Sequence, residues 1–66
     1  MSDQFLRDAE VRRLTGVKRS TRYEWIARGE FPKPIRLSPR LVVWSAAEIA
    51  EWQAKHMAAR DGGADA

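Results

Sequence analysis

The first third of the chain carries apolar residues at helical spacing on either side of a glycine. Val11 and Leu14 lie three residues apart, and Asp8 precedes them where an N-cap belongs, so a first helix is predicted over residues 9–15. Gly16 is predicted to end this helix, because glycine adopts positive φ without steric cost. Residues 4–7 are a short strand or an extended lead-in.

A second helix is predicted to begin at residues 18–20 and to end near Arg28. Ser20 or Thr21 is expected to cap its start. Its inner face is predicted to comprise Tyr23, Ile26 and Ala27, with Trp25 at the flank. Gly29 follows as a positive-φ terminator. Two short helices joined by a glycine-containing turn have the spacing of a helix-turn-helix.

Alternation of apolar and polar residues replaces the helical spacing after the second helix. Pro32 and Pro34 prevent continuation of the helix and favour an extended chain. Residues 35–38 and 41–44 then predict two strands joined at Pro39 and Arg40. If Val42 and Trp44 face inward, Leu41 and Val43 face outward on an exposed strand edge, so these two are candidate contacts between copies of the protein.

Ser45 and Glu48 have the spacing of a capping box, which predicts the start of a third helix. This helix is expected to fray near Ala59 or Arg60. The predicted fold class is mostly α with a small β-hairpin, a winged helix-turn-helix formed by residues 1–60. Residues 61–66 have nothing to bury and are predicted to be a disordered tail.

The composition excludes several other classes of protein. A chain of 66 residues holds one domain with a thin core, and the absence of cysteine excludes disulfides and cysteine-ligated zinc. His56 is the single histidine. We therefore expect no catalytic residues, no metal, no cofactor and no small-molecule ligand. The chain shows neither a signal peptide nor an apolar run long enough to span a membrane, so we expect a cytoplasmic protein.

Positive charge is concentrated between Gly16 and Trp44, where seven basic side chains oppose two glutamates, a balance of +5. This segment is either a solvated face or a surface for a polyanion. The start of a major-groove helix and a basic wing tip are the places where DNA contacts are expected. The candidate DNA-binding residues are Lys18, Arg19, Ser20, Thr21, Arg22, Tyr23, Lys33, Arg36, Ser38 and Arg40. Capping, core packing and ordinary turn chemistry are the structural alternatives.

Several motifs resemble those of one family. They are Leu14-Thr15-Gly16-Val17, Ser20-Thr21 with Tyr23 and Ile26, the run Arg28-Gly29-Glu30-Phe31-Pro32-Lys33-Pro34, and Trp44 followed by a helix containing Trp52. The chain resembles the AlpA family of prophage-type regulators, which are small winged helix-turn-helix proteins related to the MerR-type DNA-binding domain and to phage excisionases. The family often has glycines at the wing tip and an apolar residue where Arg22 stands.

This resemblance implies a bacterial or phage-encoded, nucleoid-associated protein that binds specific double-stranded DNA of a prophage or integrative element. It would regulate transcription, act as an excisionase that sets the direction of recombination, or do both. Further copies of the chain on DNA and an integrase are candidate additional partners. The alternative is a protein-interaction module or antitoxin-like partner whose basic face binds an acidic protein.

Overall fold

The computed structural model describes residues 4–63, with side chains described through residue 60. Three helices and a small antiparallel sheet follow one another along the chain, which confirms the predicted fold class. The elements are β1 (Phe5–Leu6), α1 (Asp8–Thr15), α2 (Arg19–Ala27), β2 (Ile35–Ser38), β3 (Leu41–Ser45) and α3 (Ala46–Gly63).

The sheet has three strands in the order β1-β3-β2, one strand more than the predicted hairpin. Leu6 pairs with Trp44 on one side of β3, and Ile35 pairs with Val43 on the other. β3 is therefore the central strand, and α1 and α3 both contact it. The prediction that Val43 faces outward is wrong, because its side chain is 2% exposed, and Leu41 is half-buried.

The core is small and contains at least one residue from most elements. Its buried members are Leu6, Val11, Phe31, Trp44 and Ile49, with Trp25, Ile26, Val42, Ala46 and Trp52 packed around them. A core of this size depends on its aromatic rings, since each large ring removes roughly 150–250 Å² from water. Leu14, predicted to lie on the inner stripe of α1, is 43% exposed.

The start of α1 differs by one residue from the prediction. Arg7 is the N-cap and Asp8 is the first helical residue. The Glu10 carboxylate accepts a hydrogen bond from the Arg7 backbone N–H at 3.4 Å. At the other end, Gly16 has φ 73° and its N–H donates to the carbonyl of Arg12 at 2.7 Å, as predicted for a glycine terminator.

The end of α2 is a Schellman motif built on Gly29, which has φ 75°. The Gly29 N–H donates to the carbonyl of Ile26 at 3.0 Å, and the Glu30 N–H donates to the carbonyl of Trp25 at 2.8 Å. The helix starts at Arg19, within the predicted residues 18–20, but its capping residue was predicted incorrectly. Its N-cap is Lys18 and no side chain caps it, so Ser20 and Thr21 are not the cap.

Two indole rings hold the proline-containing segment that joins α2 to β2. Trp44 donates from Nε1 to the carbonyl of Pro32 at 3.1 Å, and Trp52 donates from Nε1 to the carbonyl of Glu30 at 2.9 Å. Between them Phe31 is 4% exposed, and its ring centroid lies 4.8 Å from that of Trp52. The segment is thus fixed to both the central strand and α3.

α3 begins as predicted, because the Ser45 hydroxyl accepts a hydrogen bond from the Glu48 N–H at 3.1 Å. The helix ends at Gly63 and not near Ala59 or Arg60. It therefore includes the first three residues of the predicted tail, and residues 64–66 lie outside the described part of the chain. In residues 4–63, no helix has the length and apolar character that a membrane crossing requires.

Candidate nucleic-acid interface

Of the three residues predicted for the inner face of α2, Ile26 packs against the core, whereas Tyr23 and Ala27 face outward. Arg22 is fully buried, and Trp25 and Ile26, three and four residues later, are half-buried. Tyr23 is instead 37% exposed, and Ala27 is exposed. The helix is therefore rotated so that a charged residue occupies the centre of its inner face.

Arg22 was predicted to bind DNA, and this prediction is wrong because all of its side chain is inaccessible. One terminal guanidinium nitrogen, Nη2, forms an ion pair with the Asp8 carboxylate, and the other, Nη1, donates to the carbonyl of Val17 at 2.9 Å. The guanidinium carbon also lies 5.1 Å from the ring centroid of Trp44. The ion pair joins residues 14 positions apart across a turn, which no periodic pattern in the sequence indicates.

Five of the predicted DNA-binding residues line one open groove between the start of α2 and the β2–β3 hairpin. We call it the α2–wing groove, and its lining residues are Arg19, Ser20, Tyr23, Arg36, Pro39, Arg40 and Val42. Three of the seven carry a guanidinium group and none carries a carboxylate. The groove continues toward the start of α1 along Arg7, Asp8, Leu41 and Trp44.

Aromatic contacts set the positions of the helical residues in this groove. The Tyr23 and Trp44 rings form a T-shaped pair with centroids 6.2 Å apart and an interplanar angle of 69°. The Arg19 guanidinium lies over the Tyr23 ring, 5.5 Å from the ring centroid. A cation near an aromatic face is attracted to the ring quadrupole, so Arg19 is held at the groove surface.

The hairpin supplies the other wall of the groove. Arg36 pairs with Val42 across the strands, so both side chains point to the same face of the sheet. At the tip, the Ser38 hydroxyl accepts a hydrogen bond from the Arg40 N–H at 3.3 Å. Ser38 therefore shapes the turn that carries Arg40, although its side chain remains exposed.

The remaining predicted residues lie elsewhere. Lys18 is exposed at the N-cap of α2, beside the groove, and Thr21 is half-buried and does not line it. Lys33 lines a different groove, between the proline-containing segment and α3. That α3 groove contains Glu30, Glu48 and Glu51 together with Lys33, Lys55 and His56, so its charge is mixed. Within the described residues, no group of three or more acidic or histidine side chains could hold a metal ion.

The arrangement of α1, α2 and the β2–β3 hairpin places the protein in the winged helix-turn-helix class. A family model described as prophage CP4-57 regulatory protein (AlpA) matches residues 4–57. The chain therefore belongs to the AlpA family of prophage regulatory proteins. A relative in Enterobacteria phage P4, the uncharacterized protein ORF88, is 44% identical over 64 residues, which cover 97% of this chain and 73% of the relative. No solved structure matches the chain.

Proposed function

We propose that the protein binds specific double-stranded DNA of a mobile element through the α2–wing groove. The observation that carries this proposal is the convergence of Arg19, Arg36 and Arg40 on the part of the groove between α2 and the hairpin, whose seven lining residues include no carboxylate. Asp8, in the continuation of the groove, is ion-paired with Arg22. Lys18 adds a fourth cation beside the groove. Such a surface favours a polyanion, and membership of a prophage regulatory family supports DNA as that polyanion.

In this proposal the exposed face of the first turns of α2 enters the major groove. Arg19 and Ser20 are close enough to the helix start to reach base edges, where Arg bonds guanine O6 and N7. The Tyr23 hydroxyl and the backbone N–H groups at the helix start bind phosphate oxygens. Arg36 and Arg40 on the hairpin bind the DNA backbone or an adjacent minor groove.

Membership of a prophage regulatory family supports a regulatory role, and we propose two forms of it. Occupancy of a promoter regulates transcription, whereas several copies bound in tandem on bent DNA act in excision beside an integrase. For either role we expect the protein to be cytoplasmic and nucleoid-associated, and we expect it not to be an enzyme. The alternative function is binding of an acidic protein to the same basic groove.

A salt titration of DNA binding tests the proposal. If Lys18, Arg36 and Arg40 each neutralise one phosphate, log K falls with log salt at a slope of about −2.7. Replacing Arg36 and Arg40 with glutamine should reduce the steepness of this slope by about 1.8. The matched control makes the same replacement at Lys33 and Lys55, which line the α3 groove. It removes the same number of positive charges as the Arg36 and Arg40 variant.

The control variant should retain the wild-type slope. Equal changes of the salt slope in the two variants would mean that net charge, and not the α2–wing groove, determines binding. A wild-type protein that binds an acidic protein but no duplex at low salt would refute DNA binding and support the alternative.

A further inference from the structure

The buried guanidinium of Arg22 contacts several parts of the fold at once. Asp8 lies at the start of α1, Val17 in the turn between the helices, and Trp44 in the central strand. Arg22 itself lies near the middle of α2. One planar group therefore contacts both helices of the helix-turn-helix, their turn and the sheet.

This arrangement is a poor way to stabilise a small core. Taking a charge out of water is costly, and replacing both members of a buried ion pair with uncharged side chains is often neutral or stabilising. Among the described residues the Arg22 Nε–H also has no hydrogen-bond partner. Stability alone therefore does not explain the pair.

The geometry of the guanidinium provides another explanation. Its nitrogens donate in fixed directions within one plane, and its carbon lies over the Trp44 ring, 5.1 Å from the ring centroid. An apolar side chain of similar volume would fill the space without fixing the rotation or sliding of α2. The next residue, Tyr23, forms a T-shaped pair with the same Trp44 ring, and the Arg19 guanidinium lies over the Tyr23 ring. The contacts thus lead from the buried pair to the α2–wing groove.

We propose that Arg22 and Asp8 form a positioning pair that sets the orientation of α2 against the hairpin and thereby the sequence specificity of DNA binding. The inference rests on the proposed function. Arg22 touches no DNA in this proposal and acts through Trp44 and Tyr23.

The test compares two double variants that each remove one positive and one negative charge from the protein. Asp8→Asn/Arg22→Met removes the buried pair. Glu24→Gln/Arg28→Met removes an exposed pair on α2 whose charged atoms lie 3.6 Å apart. Each variant is titrated with a duplex selected by the wild-type protein from a random-sequence library, and with the unselected library.

The buried-pair variant should remain folded, with a Tm within about 5 °C of the control variant. Its affinity for the selected duplex should fall by about tenfold or more, the scale of one lost base contact, while its affinity for the unselected library stays unchanged. Arg22→Lys, which keeps the charge but loses the planar group, should give an intermediate loss. The exposed-pair variant should keep both affinities.

An NMR measurement on the free protein separates this inference from DNA binding itself. Nuclear Overhauser contacts between the Tyr23 and Trp44 rings should weaken in the buried-pair variant and persist in the control. Persistence of these contacts and of the wild-type specificity in the folded buried-pair variant would overturn the inference. Failure of both Asp8→Asn/Arg22→Met and Arg22→Lys to fold would also overturn it, since the pair would then be needed for the fold.

Discussion

Neutralising only one member of the buried pair should destabilise the protein strongly. Asp8→Asn keeps the size of the side chain and one hydrogen-bond acceptor but removes the negative charge opposite Arg22. The arginine side chain is 0% exposed and that of Asp8 is 46% exposed. The variant therefore leaves a charge in the core that water cannot reach.

The magnitude follows from the burial of the two partners. Breaking a fully buried pair costs about 3–5 kcal/mol, and the half-exposed carboxylate and the remaining acceptor of Asn reduce this to about 2 kcal/mol. A domain of 66 residues has a total stability of about 3–10 kcal/mol. The loss corresponds to a decrease in Tm of about 8–16 °C.

Urea and thermal unfolding, followed by tryptophan fluorescence and far-UV circular dichroism, measure this loss. The matched control is Glu24→Gln, which removes a carboxylate from the exposed pair with Arg28 and should change the free energy of unfolding by about 0.5 kcal/mol or less. Equal free energies of unfolding for Asp8→Asn and Glu24→Gln would refute the reasoning, because the Arg22 charge would then be compensated without Asp8.

Three further predictions concern the groove, the sheet and α3. Arg19→Ala should lower affinity for the selected duplex by about 1–3 kcal/mol more than for the random library, and equal losses in a fluorescence-anisotropy titration would contradict base reading by Arg19. Val43→Glu should leave the chain largely unfolded, as measured by circular dichroism, because it buries an unpaired charge. Leu37→Glu, at an exposed position of β2, is its control and should change the free energy of unfolding by about 0.5 kcal/mol or less. Ser45→Ala should cost about 1 kcal/mol in urea unfolding through loss of the α3 cap, and an unchanged midpoint would show that the cap contributes nothing.

Local signals in the sequence were sufficient for most element boundaries. Gly16 and Gly29 were predicted to end the first two helices, and both have positive φ in the structure. Ser45 was predicted to cap the third helix, and it does. Each of these features depends on interactions within a few residues along the chain, so the residue type alone indicates the backbone conformation.

The rotation of α2 could not be predicted in the same way. Apolar spacing favoured Tyr23, Ile26 and Ala27 as the inner face, because an arginine is almost never fully buried without a partner. The partner, Asp8, comes from another helix and was assigned to local capping. The structure thus buries Arg22 and exposes Tyr23, the reverse of the expected inner face, and the list of DNA-facing residues loses Arg22 but keeps Tyr23.

The outward orientation of Val43 was wrong for a related reason. Alternation along one strand indicates two faces but not how many strands flank it or what covers each face. β1 is only two residues long and lies near the start of the sequence, far from β3. It nevertheless pairs with β3, which makes β3 the central strand. Val43 is therefore no longer a candidate for contact between copies of the protein, because its side chain is buried.

The sequence by itself determined the order of the elements, their glycine and serine terminators, the concentration of basic residues and the family resemblance. These features depend on residue type and short-range spacing. Only the tertiary structure decided which cations share a surface, placing Arg36 and Arg40 opposite Arg19 while separating Lys33 and burying Arg22. The physical reason is that burial and pairing are settled between segments distant along the chain, as in the ion pair between Arg22, on the buried side of α2, and Asp8 at the start of α1.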